Sequence, residues 1–66
     1  MRLIVNGEKK DLKDGTTIAQ LLKTFAPGIA RVAVLVNDTV VTAERRASHA
    51  LKDGDRVEIL TFAGGG

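Results

Sequence analysis

Residues 14–28 read DGTTIAQLLKTFAPG, a stretch in which the apolar period changes from two residues to about 3.6 residues. Four apolar residues recur at the spacing i, i+3, i+4 and i+7, which places them on one face of a helix. They are Ile18, Leu21, Leu22 and Phe25. A helix with one apolar face has to bury that face against another element. The stretch therefore predicts one amphipathic helix that packs on a sheet.

Both ends of this helix are marked in the sequence. Thr17 precedes the first apolar residue and Gln20 lies three residues further on, which is the spacing of a capping box. In a capping box the two side chains each satisfy a backbone N–H that the helix itself leaves unpaired. Pro27 and Gly28 end the helix, because the residue before a proline is pushed away from the α region.

Two short strands are predicted before the helix. MRLIV (residues 1–5) alternates along the chain, and Asn6-Gly7 follows it as a strong hairpin signal. EKKDLK (residues 8–13) is the return strand, and its polar, lysine-rich composition is typical of a sheet edge.

Three further strands are predicted after the helix. RVAVLV (residues 31–36) has a β pattern, and Asn37-Asp38 predicts a turn into a short strand at residues 39–42. Residues 43–55 are predicted as a loop that contains one helical turn and ends in a tight turn at Asp53-Gly54. RVEILTF (residues 56–62) is the last strand.

The order β-β-α-β-β-β, with one helix after the first hairpin, is that of α+β domains with a β-grasp, ubiquitin-like fold. We expect residues 1–63 to form this domain and residues 64–66 to be a flexible tail. The helix covers one sheet face, and strand alternation places a second apolar group on the other face. This second group consists of Ile4, Leu35, Leu60 and Phe62. We predict that it binds a partner. The competing explanations for the group are dimerisation and an incorrect strand register.

Composition argues against several classes of function. The 66 residues include no cysteine, so disulfides and thiolate metal sites are excluded. The formal net charge is only +2 and two phenylalanines are the whole aromatic content, which is too little for a nucleic-acid stacking surface. No apolar run approaches the roughly 20 residues of a membrane span, and MRLIVNGE lacks the pattern of a signal peptide. We therefore expect a cytoplasmic protein that binds neither nucleic acid nor membrane.

The sequence gives little evidence for catalytic or metal-binding residues. His49 is the single histidine, and its adjacency to Ser48 in the sequence does not create the geometry of a triad. Asp53 and Asp55 flank Gly54, but two carboxylates are too few for a calcium loop and are favoured in turns. We predict no catalytic residue, no metal site and no enzymatic activity.

The sequence ends in Gly64, Gly65 and Gly66 directly after the last predicted strand. Chain termini usually fray, so a flexible tail is the simplest interpretation. A terminal carboxylate can also react, once adenylation has given it a good leaving group. A partner enzyme would then draw the backbone through a narrow channel, and residues without Cβ adopt the φ and ψ angles that a channel demands. This interpretation assigns the reacting carboxylate to Gly66 and the threading role to Gly64 and Gly65.

The chain resembles the small bacterial sulfur carrier proteins of the ThiS/MoaD group along its whole length. The matching stretches are VNG, TIAQLL, VAVLVND, LKDGDRVEIL and the final GGG, of which DGD together with the terminal glycines is the most specific. The length favours the ThiS branch, which serves the thiazole of thiamine.

The resemblance implies that the protein is a cosubstrate without a cofactor of its own. An E1-like enzyme would adenylate Gly66 with ATP, a sulfur donor such as a cysteine desulfurase would supply sulfur for a thiocarboxylate, and a thiazole synthase would accept that sulfur. ATP and Mg²⁺ would belong to the adenylating enzyme. The alternatives are a carrier for molybdopterin or cysteine synthesis, a ubiquitin-like protein modifier, and a β-grasp binding module that carries nothing.

Overall fold

The computed structural model describes residues 1–29 and 31–62 of the chain. Its elements are β1 (Arg2–Val5), β2 (Glu8–Asp11), α1 (Ile18–Phe25), β3 (Val32–Val36), β4 (Thr39–Val41) and β5 (Arg56–Thr61), with one 3-10 turn at Ala43–Arg45 between β4 and β5. The predicted order β-β-α-β-β-β and the β-grasp fold are confirmed. The predicted tail, residues 64–66, and the predicted domain boundary at residue 63 lie outside the described residues.

The five strands form one mixed sheet in the spatial order β2-β1-β5-β3-β4. The first and last strands pair in parallel in the middle of the sheet, with Ile4 opposite Arg56 and Val5 opposite Val57. The other pairs, β1 with β2, β3 with β4 and β3 with β5, are antiparallel. The lysine-rich β2 lies at an edge, as its composition predicts.

The capping box predicted at the start of α1 is present. The Gln20 backbone N–H donates to the Thr17 hydroxyl oxygen at 3.3 Å, and the Thr17 backbone N–H donates to the Gln20 side-chain oxygen at 3.0 Å. The loop before β5 also takes part, because the His49 carbonyl oxygen accepts from the Ile18 backbone N–H at 3.1 Å. The start of α1 is thus stabilised by local hydrogen bonds of the capping box and by a hydrogen bond to a segment distant in the chain.

The core lies between α1 and one face of the sheet. The buried face of α1 contributes Ile18 and Leu21, and alternate residues of the strands meet them, as the apolar periods predict. Leu51 is also buried, at 3% exposure, although its segment was predicted only as a loop. The buried apolar side chains are Leu3, Val5, Ile18, Leu21, Ala26, Val34, Val36, Val41, Leu51, Val57 and Ile59.

Two asparagines at the hairpin turns adopt the left-handed conformation. Asn6 and Gly7 have φ of 49° and 83°, and Asn37 and Asp38 have φ of 50° and 70°. A two-residue hairpin turn of the I′ type requires positive φ at both positions, and asparagine tolerates it better than most residues. Both predicted turns are confirmed. Among the described residues, no helix is long and apolar enough to cross a bilayer.

Replacing Thr17 with Ala removes the hydroxyl that caps α1, so we expect the free energy of unfolding to fall by about 1 kcal/mol. The measurement is chemical denaturation followed by circular dichroism. Thr24→Ala is the control, because Thr24 is exposed within the same helix and its hydroxyl reaches the Gln20 carbonyl oxygen only at 3.4 Å. The control should change stability by less than about 0.5 kcal/mol. Equal losses in the two variants would contradict the role of the cap.

Candidate functional site

Strand β5 has two faces of opposite character. Val57 and Ile59 point into the core, with exposures of 0% and 8%. Leu60 and Phe62 lie on the other side of the sheet and are 47% and 56% exposed. The alternation predicted from RVEILTF is therefore present, and the end of the last strand carries large apolar side chains into solvent.

Strand register extends this exposed surface across β3 and β4. Leu60 pairs with Ala33, and Leu35 pairs with Val40, so all four share the face that α1 leaves uncovered. Val40 is 64% exposed. Sequence reasoning missed Val40, although the Asn37-Asp38 turn fixes the parity of the hairpin and would have placed it opposite Leu35. We name the uncovered apolar residues the open face: Ile4, Ala33, Leu35, Val40, Leu60 and Phe62.

The four predicted partner-binding residues share the open face, but they do not form one cluster. Leu35 pairs with Glu58, two residues before Leu60, so these two leucines are diagonal neighbours. Ile4 pairs with Arg56 and is half-buried. Four residues of strand separate that position from Leu60, or about 13 Å. The register therefore places Leu35, Leu60 and Phe62 in a row on one face, each two strand residues from the next, and leaves Ile4 near the start of β5.

Ion pairs lie beside the start of β5 and at the outer strands. Arg56 donates from Nη2 to Asp38 Oδ2 at 2.6 Å, and Arg2 donates from Nε to Asp11 Oδ1 at 3.1 Å. The hydrogen bond from Arg2 and the positive charge of its guanidinium lower the pKa of the Asp11 carboxyl. The same hydrogen bond and the negative charge of Asp11 raise the pKa of Arg2. Both residues are exposed, so the pair orders side chains at the rim without adding much stability.

The open face extends along β5 to the end of the described residues. The Phe62 backbone N–H donates to the Arg31 carbonyl oxygen at 3.3 Å, which continues the β3–β5 pairing one residue beyond the strand. Phe62 is the last residue that the structure describes. The predicted tail residues Gly64, Gly65 and Gly66 lie outside the described residues and stay predictions.

Ser48 and His49 do not form a catalytic pair. The Ser48 hydroxyl donates to the Arg45 carbonyl oxygen at 3.2 Å, so it is committed to a backbone turn. His49 contributes its main chain: the N–H donates to the same Arg45 carbonyl oxygen at 2.9 Å, and its carbonyl oxygen accepts from the start of α1. All three contacts are structural, and none of them gives the Ser48 hydroxyl a general base.

Asp53 and Asp55 are structural residues of the DGD turn. Asp53 Oδ1 accepts from the Arg2 backbone N–H at 2.6 Å, and Asp55 Oδ2 accepts from the Lys52 backbone N–H at 2.8 Å. Gly54 between them has φ of +87°, a conformation that side chains rarely adopt. Across residues 1–29 and 31–62, no three His, Asp or Glu side chains come close enough to hold a metal ion.

Comparison with known proteins gives a consistent family. A family model described as the ThiS family matches residues 3–66. The chain is 27% identical to the sulfur carrier protein ThiS of Escherichia coli, over 100% of both chains. It is 36% and 33% identical to the thiazole synthases of Paramagnetospirillum magneticum and Magnetococcus marinus, but it spans only 20% of their length.

Solved structures agree with the fold. A crystal structure of the thiamine biosynthesis protein ThiS from Geobacter metallireducens superposes with a TM-score of 0.84 at 35% identity and covers 100% of both chains. A solution structure of a thiamine biosynthesis protein from the same organism superposes with a TM-score of 0.79 at 35% identity, over 100% of this chain and 88% of the other. The β-grasp assignment therefore has support from topology and from experimental relatives.

Neighbouring residues on opposite faces of β5 should respond differently to the same substitution. Ile59→Thr loses buried apolar surface and buries a hydroxyl, so we expect it to destabilise the domain by about 2 kcal/mol. Leu60→Thr alters an exposed side chain and should change stability by less than about 0.5 kcal/mol. Threonine suits strands, so strand propensity is preserved in both variants. Thermal and urea unfolding test this difference, and a larger loss in Leu60→Thr would refute the assignment of the two faces.

Proposed function

Because this chain belongs to the ThiS family, we propose that it carries sulfur for the thiazole of thiamine as a thiocarboxylate on its terminal glycine, Gly66. One observation carries the proposal: the family match runs from residue 3 through residue 66, so the glycine tail is part of what the chain shares with the family. The relative matched over its full length is named a sulfur carrier protein. That name agrees with the prediction that this chain is a carrier protein and not an enzyme.

The chemistry begins with an unreactive carboxylate. An oxygen of the Gly66 carboxylate attacks the α-phosphorus of ATP, which forms an acyl-adenylate and releases pyrophosphate. A sulfur nucleophile then attacks the acyl carbon, and AMP leaves. With hydrosulfide as the nucleophile, the product is a thiocarboxylate and one proton is released. The partner enzyme binds ATP, and this chain supplies the acyl group.

The glycines before Gly66 would let the tail enter the partner. Gly64 and Gly65 have no Cβ, so the backbone can pass through a narrow channel and adopt φ angles that other residues avoid. Holding each such residue in place costs roughly 1–2 kcal/mol of conformational entropy. Contacts between the partner and other parts of the domain have to offset this cost. The open face could provide such contacts.

We assign partner docking to the open face. Leu60 and Phe62 are exposed, apolar and adjacent to the tail, so a partner that covers them would hold the tail beside its own active site. Leu35 and Val40 extend this surface on the neighbouring strands, while Ile4 would lie at its rim. Exposed apolar patches on small proteins often mark partner sites.

Three partner classes are implied by the family resemblance. An E1-like enzyme would adenylate the carrier, a donor such as a cysteine desulfurase would provide sulfur, and a thiazole synthase would receive it. The third class has support from the two relatives named thiazole synthases, in which the matched stretch is about a fifth of a longer chain. A carrier segment on the same chain as its acceptor would raise the effective concentration of the tail. We place these steps in the cytoplasm.

The carrier role is tested by mass spectrometry of the 66-residue chain. After incubation with the adenylating enzyme, ATP and sulfide, we expect the mass to change by one oxygen-to-sulfur exchange at Gly66. A chain that lacks Gly65 and Gly66 should gain no sulfur and should keep its circular dichroism spectrum. Omission of ATP provides the chemical control. An equal yield of sulfur on the truncated chain would refute the proposal.

The docking surface is tested by calorimetry with the adenylating enzyme. Leu60→Asp and Phe62→Asp each place a charge on the open face, and we expect each to weaken binding at least about tenfold. Lys23→Ala removes an exposed charge from α1, on the opposite side of the sheet, and should change the affinity by less than about twofold. Wild-type affinity in both Asp variants would exclude this surface as the docking site.

A further inference from the structure

Strand β5 loses its partner on one side before it reaches the tail. On that side β1 ends at Val5, and the chain turns away through Asn6 and Gly7. The last backbone contact runs from the Asn6 N–H to the Val57 carbonyl oxygen at 2.9 Å. Two residues further along β5, the backbone N–H and carbonyl groups of Ile59 face the same side. Strand β1 has ended by this point, so it offers them no backbone partner.

The side chain of Asn6 takes the place of the missing strand residue. Its Oδ1 accepts from the Ile59 backbone N–H at 2.7 Å, and its Nδ2 donates to the Ile59 carbonyl oxygen at 3.3 Å. A carboxamide offers the same donor and acceptor pair as a peptide group, so it can complete both hydrogen bonds of a β-ladder. Partly buried backbone groups that would otherwise lack partners are thereby satisfied.

Beyond Ile59, β5 is held from one side. Its pairing with β3 continues through Leu60 and Thr61 and ends with the 3.3 Å contact of the Phe62 N–H. Thr61 is the next residue whose backbone faces the β1 side, and it is exposed. Within residues 1–29 and 31–62, the contact between Asn6 and Ile59 is therefore the last hydrogen-bonded contact on the β1 side of β5 before Leu60 and Phe62, the two residues that we assign to docking.

We infer that Asn6 is a positioning residue that fixes where the C-terminal strand ends and its tail begins. This inference rests on the proposed function, because it concerns delivery of the tail to the adenylating enzyme. With the contact in place, Leu60 and Phe62 are ordered before docking. Without it, the end of β5 frays, and the partner has to order it on binding. The cost then falls on binding and not on the chemical step, which raises KM and leaves kcat unchanged.

The same strand offers a matched control at its other end. Asn37 also lies in a hairpin turn with φ of 50°. Its Oδ1 accepts from the Arg56 backbone N–H at 3.0 Å, and its Nδ2 donates to Asp55 Oδ1 at 3.0 Å. Both asparagines thus bind the backbone of β5 from a left-handed turn. Asn37 does so at the start of the strand and Asn6 does so before the tail.

The experiment compares Asn6→Gly with Asn37→Gly, since glycine accepts positive φ and removes only the side-chain contact. Pyrophosphate release is measured with the adenylating enzyme and ATP at increasing carrier concentration. We expect Asn6→Gly to raise KM for the carrier about tenfold at unchanged kcat, the factor expected for ordering roughly one residue on binding. Asn37→Gly should keep KM within about twofold of wild type, and urea unfolding should show similar losses of stability for both variants.

Amide hydrogen exchange gives a readout that does not depend on the reaction. In Asn6→Gly the Ile59 and Phe62 amides should lose protection, and in Asn37→Gly they should keep it. Wild-type KM in Asn6→Gly, or equal increases in both variants, would overturn the inference, as would an Ile59 amide that stays protected in Asn6→Gly. A wild-type chain that gains no sulfur would instead refute the proposed function, and the exchange measurement would still decide whether Asn6 holds the strand.

Discussion

The parallel pairing of the first and last strands is the constraint on which the rest of the structure depends. It places β5 in the middle of the sheet, with β1 on one side of β5 and β3 on the other. A central strand has to bury one face, and here Val57 and Ile59 do so against α1. The strand that anchors the core is therefore also the strand that leads into the tail, so a disturbance near Ile59 reaches both stability and the presentation of the tail.

Polar side chains hold this strand where backbone pairing runs out. Just before β5, the Asp53 side chain accepts a hydrogen bond from the Arg2 N–H. At the first residue of β5, the Asn37 side chain accepts from the Arg56 N–H. Near the end of β5, the Asn6 side chain accepts from the Ile59 N–H. Each contact satisfies a backbone group that a longer neighbouring strand would have satisfied. In a domain of 66 residues, such side-chain contacts replace strand length that the chain does not have.

The small core also determines where function can lie. A domain near this size buries only about 60% of the surface of its unfolded chain, so it has little room for an internal binding cavity. In the proposed function, what it offers a partner is a surface and a terminal glycine, and β5 carries that surface up to Phe62, the last residue that the structure describes. Leu60 and Phe62 belong to the surface, and the glycines follow within a few residues. In the proposed function, β5 can then contribute both to docking of the partner and to delivery of the terminal glycine.

Local sequence was sufficient for the elements and their faces. The capping box at Thr17, the alternation of RVEILTF and the positive φ at Asn6 arise from interactions between residues close in the chain, so the sequence alone predicted them. The order of the elements and the family resemblance then led to the β-grasp topology and to the exposed positions of Leu60 and Phe62.

Tertiary structure decided what depends on residues that are distant in the chain. Leu51 is buried because the loop at 43–55 folds over the start of α1, and the Arg46 guanidinium joins that loop to β3 through the Val32 carbonyl oxygen at 2.7 Å. Ile4 lies apart from Leu60 because the parallel register places it at Arg56. The contact between Asn6 and Ile59 joins residues 53 positions apart. No local pattern encodes such pairings, since their geometry exists only once the sheet has formed.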